Sequence, residues 1–159
     1  MSLLDMSVKA AASAQYRRIV DQAAPLAAGL AAPAEGWIRT VRKALGMSGP
    51  QLARRLGVSR ARISTLELSE LDGAVSLKTM QDAAEAMGCR LVYAVVPETT
   101  VGRAVEQQAL KKAAALVRRS STHMALEDQS LSGAGRDAEL ARVTQDILAR
   151  RPPDFWDDP

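Results

Sequence analysis

Thiol and imidazole groups are nearly missing from this chain. Among 159 residues there is one cysteine, Cys89, and one histidine, His123. A single cysteine excludes an internal disulfide and a cysteine-cluster metal site, and a single histidine excludes a multi-histidine centre. Aromatic residues make up 3% of the chain: two Trp, two Tyr and one Phe. So few aromatics, beside heavy use of alanine, disfavour an all-β sandwich and favour helices joined by short loops. No apolar run approaches the roughly 20 residues that span a bilayer. The first residues lack the charged region and apolar core of a secretory signal. The expectation is a cytoplasmic protein in a reducing compartment, with no membrane association, no metal and no cofactor.

Acidic residues are absent from Gly36 to Leu66. The same stretch holds seven basic ones: Arg39, Arg42, Lys43, Arg54, Arg55, Arg60 and Arg62. The whole chain sums to only +3, so the remainder is net negative. A basic block inside a neutral-to-acidic chain suggests one surface built for a polyanion, against the plainer reading of a solvated charged face.

Three segments follow from the punctuation. Residues 1–35 read as an N-terminal helix, from about Ser7 to Ala23, and a linker broken by Pro25, Gly29 and Pro33. Residues 36–97 are dense in helix signals. Trp37, Ile38, Val41 and Leu45 share one helix face that stops at Gly46. Ser48 caps a second helix with Pro50 in its first turn and Leu52, Ala53 and Leu56 inward, ended by Gly57. Ser59 caps a third with Ile63 and Leu66 inward. Ser76 caps a fourth with Leu77, Met80, Ala83, Ala84 and Met87 as its core side, closed by Gly88. The segment Arg90 to Val96, stopped by Pro97, is the one convincing strand. Residues 98–159 read as a helix over 101–120, a polar break around Ser130 to Gly135, a helix over Asp137 to Arg150 with Leu140, Val143 and Ile147 inward, and an acidic aromatic tail.

The second and third helices are about two turns each and are separated only by Gly57, Val58 and Ser59, as in a DNA-binding helix-turn-helix. On the third helix Ala61, Ser64, Thr65 and Leu68 point outward, with Arg60 and Arg62 flanking them on opposite sides. Small residues at the centre allow close approach to a groove floor. The arginines can then reach guanine edges or phosphates, and Ala61 or Thr65 can meet a thymine methyl. Free amides at the start of the second helix can hold a phosphate, with Ser48 and Gln51 as the matching side chains.

The run from Met47 to Glu67, with its Leu-Ala-x-x-Leu-Gly-Val-Ser-x-x-x-Ile-Ser-x-Leu-Glu pattern, resembles the Xre family of Cro and lambda-repressor type. The resemblance covers about Gly36 to Gly88. It implies a mainly α, lambda-repressor-like helix-turn-helix domain, here with a single C-terminal strand and helical extensions. It places base-reading positions on Arg60, Ala61, Arg62, Ser64 and Thr65, and an ion pair between Arg42 and Glu67 at the core edge. The expected DNA-contacting set is completed by Ser48, Gln51, Ser59, Arg39 and Lys43. One departure is Gly49, where the family often carries glutamine.

An isolated strand leaves backbone groups unpaired. The simplest partner for Leu91, Val92, Tyr93, Ala94, Val95 and Val96 is the same segment of a second copy, giving a two-fold homodimer; the alternative is a buried extension on the chain's own helices. Such a dimer sets two recognition helices roughly 34 Å apart and predicts a palindromic double-stranded operator.

Longer stretches are similar to the mobile mystery protein A family: Gly36-Trp37-Ile38-Arg39 with Val41 to Ser48, Ser76 to Met80, Leu91 to Pro97, and Thr122 to Gln129. This resemblance implies a sequence-specific transcriptional regulator beside a Fic-domain partner, acting as an autorepressor or antitoxin; the alternative is an antitoxin that inhibits the partner protein directly. The Ser/Thr-x-x-x-Glu-Gly/Asn motif of some Fic inhibitors is not found. Phe155 and Trp156, among acidic residues, are candidate partner-docking residues, against a tail packed on its own domain. His123 and Glu127 share a helix face, and a structural role is expected for them. The Gly133-x-Gly135-x-x-Ala138 run follows a polar loop and not a strand, which argues against a dinucleotide site. With no paired carboxylates or nucleophile motif, no enzyme is expected.

Overall fold

The computed structural model describes residues 3–126 and 133–158. Among these lie the helices α1 (Leu3–Ala27), α2 (Trp37–Ala44), α3 (Gly49–Leu56), α4 (Arg60–Leu71), α5 (Leu77–Ala86), α6 (Val101–Leu126) and α7 (Gly133–Arg150). They form two compact units, Leu26–Val95 and Met1–Pro25 with Val96–Pro159.

The Leu26–Val95 unit packs α2 to α5 around Ile38, Leu52, Ala53, Ile63, Leu66, Met80, Ala83 and Met87. Local chemistry sets its helix starts. Ser48, Ser59 and Ser76 each accept a hydrogen bond from the backbone amide three residues on, at 3.3, 3.2 and 3.1 Å. Each thus satisfies one of the amides that a helix start leaves unpaired. Gly57 ends α3 in the left-handed region at φ 69°, which returns the Val58 amide to the Ala53 carbonyl. That geometry suits a residue without a Cβ and fixes the tight turn into α4.

Helix α2 is capped from a distance. Its flanking residue Gly36 has no side chain, and the Glu70 carboxylate on α4 accepts from the Trp37 and Ile38 amides at 2.5 and 3.0 Å. Gly36 has φ +79°, and a Cβ there would sit 2.9 Å from the Glu70 carboxyl carbon. The conformation selects glycine, and a Cβ would push the Glu70 carboxylate off its cap.

Three expectations for this unit need correction. The strand expected over Leu91, Val92, Tyr93, Ala94, Val95 and Val96 is not found; the segment is irregular, and no strand occurs among the described residues. A strand exists through ladder bonds to a neighbour, and the described chain supplies none. Leu91 packs against the core while Val92, Tyr93 and Val95 are 69%, 69% and 88% exposed. Leu77 is not a core residue: it is exposed at the first position of α5, and the buried side of that helix begins with Met80. The linker expected from residue 25 begins later, because α1 runs through Pro25 to Ala27. A proline in the last turn lacks the amide and crowds the preceding turn, and the helix stops two residues later.

In the other unit α6 and α7 pack through Val105, Ala109, Ala113 and Ile147, with Phe155 of the tail completing the cluster. Helix α6 starts on Asp21 of α1, whose carboxylate accepts from the Val101 amide at 2.9 Å, and on Thr100, which accepts from the Arg103 amide. The docking role expected of Phe155 is corrected: the ring is 4% exposed, and its carbonyl accepts from Gln108 Nε2 at 2.8 Å. Trp156 stays exposed and meets Phe155 edge-on at 5.0 Å. The tail's acids fasten it. Asp154 pairs with the buried Lys112 at 2.7 Å, and Asp158 pairs with Lys111. Each lysine bond holds its carboxyl below the usual range. Helix α1 keeps Leu4, Val8, Tyr16 and Ile19 exposed. Of the stretch from Thr122 to Gln129, residues 127–129 lie outside the described residues, Glu127 among them, as do residues 130–132 of the expected polar break; Gly133 opens α7.

An alanine-lined core depends heavily on its one large ring. Phe155→Ala is expected to destabilise this unit by about 3–5 kcal/mol, seen as loss of amide-exchange protection in α6 and α7. Unchanged protection refutes the clasp.

Candidate nucleic-acid interface

Helices α3 and α4, joined by Gly57, Val58 and Ser59, form the bihelical element. Helix α4 turns Ile63, Leu66 and Glu67 inward and exposes Arg60, Ala61, Arg62, Ser64, Thr65 and Leu68. Between α2, α3 and α4 opens a hollow of about 350 Å³, lined among others by Arg39, Gly49, Pro50, Arg60, Ser64 and Leu68.

Residues 38–93 match a family model described as Helix-turn-helix. This part of the chain is a helix-turn-helix domain. No match to the chain was found among curated proteins or among solved structures.

In this domain α4 is held to α2 by one ion pair. Arg42 Nε and Nη2 donate to the two carboxylate oxygens of Glu67 at 2.7 and 3.2 Å, and Nη1 donates to the Met47 carbonyl at 3.0 Å. The side chains are only 14% and 11% exposed. A bidentate pair this well shielded fixes orientation as well as distance. Its polar atoms are spent on one another and on the Met47 carbonyl, so it belongs to the scaffold.

The other basic residues of the acid-free stretch divide cleanly. Arg55 Nε donates to the Ala86 carbonyl and closes the last turn of α5. Lys43 Nζ donates to both oxygens of Glu35 at 2.9 and 2.8 Å, and Arg39 lies 3.6 Å from the same carboxylate. The Lys43 hydrogen bond, with the charges of Lys43, Arg39 and Arg42, holds the Glu35 carboxyl below its ordinary range. No hydrogen bond or ion pair within the described residues engages the guanidinium of Arg54, Arg60 or Arg62. Two of these three free guanidiniums stand on the first turn of α4.

The polar residues expected at DNA are partly committed to caps. Ser59 Oγ accepts from the Arg62 amide. Ser48 and Gln51 form a reciprocal capping box: Ser48 Oγ takes the Gln51 amide, and Gln51 Oε1 takes the Ser48 amide at 2.6 Å. The Gln51 side-chain NH2 remains available. Pro50 has no amide proton and the Gln51 amide is used, so Gly49 supplies the open donor of this turn. Thr65 Oγ1 donates back to the Ala61 carbonyl at 3.1 Å, whereas the exposed Ser64 hydroxyl makes no such bond.

Two contributors escaped the sequence reading. Glu70 caps α2 from more than thirty residues away; its only local sign was a helix start at Gly36 without a capping side chain. Glu35 sits one residue before the acid-free stretch and neutralises part of it. A negative residue four and eight positions before Arg39 and Lys43 was the available signal.

Removing one partner of a shielded ion pair strands the other charge. Glu67→Ala is expected to cost about 3 kcal/mol in unfolding, while Arg62→Ala leaves stability within about 0.5 kcal/mol. A larger loss from Arg62→Ala would reverse the assignment of faces. Glu35→Gln frees Arg39 and Lys43 and is expected to raise affinity for duplex DNA severalfold at low salt, measured by fluorescence anisotropy. Unchanged affinity would exclude these cations from the interface.

Proposed function

We propose that this chain is a sequence-specific, double-stranded-DNA-binding transcriptional regulator that lays α4 in the major groove and acts by binding and not by catalysis. The helix-turn-helix domain suggests DNA binding. The observation that carries the specific reading is the pair of free guanidiniums, Arg60 and Arg62, on either side of a small-residue face at the start of α4. Arginine in this position reads guanine bidentately or grips phosphate, and small residues between permit close approach. The Gly49 amide and the Gln51 side-chain NH2, at the start of α3, are donors suited to a backbone phosphate. Arg39 and Lys43, released from Glu35, extend the contact.

The regulator works as a homodimer on a palindromic operator. The support is the exposed segment Val92, Tyr93, Ala94 and Val95, whose apolar side chains and backbone suit pairing with a second copy. The resemblance to the mobile mystery protein A family adds an operon-level role, autorepression or an antitoxin beside a Fic-domain partner. Trp156, exposed next to the buried Phe155, is the tail residue open to such a partner.

The test is binding to DNA upstream of its own coding region across a range of salt. Each phosphate neutralised contributes about −0.9 to the slope of log affinity against log salt. Four cations per protomer predict about −3 to −4 per half-site, with a footprint of two-fold symmetry. A flat salt response, or no footprint, refutes this function and favours direct action on a partner protein.

A further inference from the structure

Helix geometry sorts the outward face of α4 into chemically distinct lanes. At about 100° per residue, Thr65 and Leu68 lie within about 40° of Ala61, along the helix axis. Arg60 and Arg62 fall about 100° to either side, and Ser64 lies between the centre and Arg60. The central lane is therefore Ala61, Thr65 and Leu68, all exposed, with Leu68 at 62%.

Thr65 decides the character of that lane. A free threonine hydroxyl would make it a hydrogen-bonding reader. Here Oγ1 has spent its proton on the Ala61 carbonyl one turn back, a bond that turns the hydroxyl toward the helix. The side chain presents its methyl group instead. With the Ala61 methyl and the Leu68 isobutyl group it makes a continuous apolar strip, edged by free arginines and by the unengaged Ser64 hydroxyl.

In the major groove the one apolar feature of a base edge is the 5-methyl of thymine. We propose that Ala61, Thr65 and Leu68 form a methyl-reading strip, and that each half-site carries thymine beneath it, flanked by the guanines or phosphates that Arg60 and Arg62 hold. This rests on the DNA-binding function proposed above and adds the base class that the centre of the helix selects.

The test separates methyl from hydroxyl on both molecules. Duplexes enriched by the full chain from a random pool are remade with deoxyuridine in place of each thymine in turn, which removes only the methyl. At one or two positions per half-site, binding of the unaltered protein is expected to weaken roughly fourfold, the factor for one buried methyl. Thr65→Val keeps the methyl and discards the hydroxyl, and is expected to retain both affinity and the preference for thymine over uracil. Thr65→Ser keeps the hydroxyl, and is expected to lose about fourfold in affinity and to lose the thymine-over-uracil preference at one of those positions. Circular dichroism confirms that both variants fold, and the deoxyuridine series on the unaltered protein needs no variant. Indifference to uracil at every position, or loss with Thr65→Val but not with Thr65→Ser, overturns the methyl strip while leaving DNA binding intact. A pool in which no duplex is enriched overturns both.

Discussion

Taking a guanidinium and a carboxylate out of water is costly, and the cost is recovered only when each polar atom finds its partner. Arg42 and Glu67 meet that condition with two bonds to each other and a third to the Met47 carbonyl. The three elements so joined are α2, α4 and the corner that leads into α3. Rotating α4 by a few tens of degrees would break the bidentate geometry and swing Ile63 and Leu66 out of the core they share with Ile38, Leu52 and Met80. The direction in which Ala61 and Thr65 face solvent is thus set by a bond on the opposite side of the helix. Glu70 works toward the same end one turn later, because the carboxylate that caps α2 also fixes where the end of α4 must lie.

Once the scaffold has taken what it needs, the residue of unsatisfied polar groups is small. Seven cations occupy the acid-free stretch. Arg42 and Arg55 are spent on structure, and Arg39 and Lys43 lie on Glu35. What remains free is concentrated at the first turn of α4. The Glu35 contacts are solvent-exposed, so water and salt already compete with them. On the function proposed above, a DNA backbone would take the place of that carboxylate on α2 without disturbing the buried pair beneath it.

The parts legible in the sequence were those governed by bonds spanning three or four residues. Ser48, Ser59 and Ser76 announce helix starts because a cap is a local bond, and Gly57 announces a stop because the left-handed region favours it. The inward face of α4 followed from its period. What the sequence concealed depends on residues far apart. The cap from Glu70 onto Trp37 spans 33 positions, and Phe155 joins a core whose other members begin fifty residues earlier. An aromatic pair among acids reads as a loose docking peptide until Lys111 and Lys112 are found to neutralise two of those acids. The apolar, valine-rich run over residues 90–96 reads as a strand by composition, yet composition cannot supply the neighbour that a ladder requires.

That missing neighbour bears directly on how such a domain could select an operator. A single α4 offers two free arginines and one narrow strip of methyl groups, enough for a few base pairs. Each well-made base contact discriminates by about 1–3 kcal/mol, while a genome presents a very large number of competing sites. One copy would be outnumbered. Two copies held at fixed separation turn the second encounter into an intramolecular one, so that the discrimination of both half-sites combines. The sparse recognition face and the exposed apolar segment at Val92 to Val95 therefore point the same way. On the function proposed above, so small a recognition face gains most from pairing, and the end of the helix-turn-helix domain carries an exposed apolar segment suited to it.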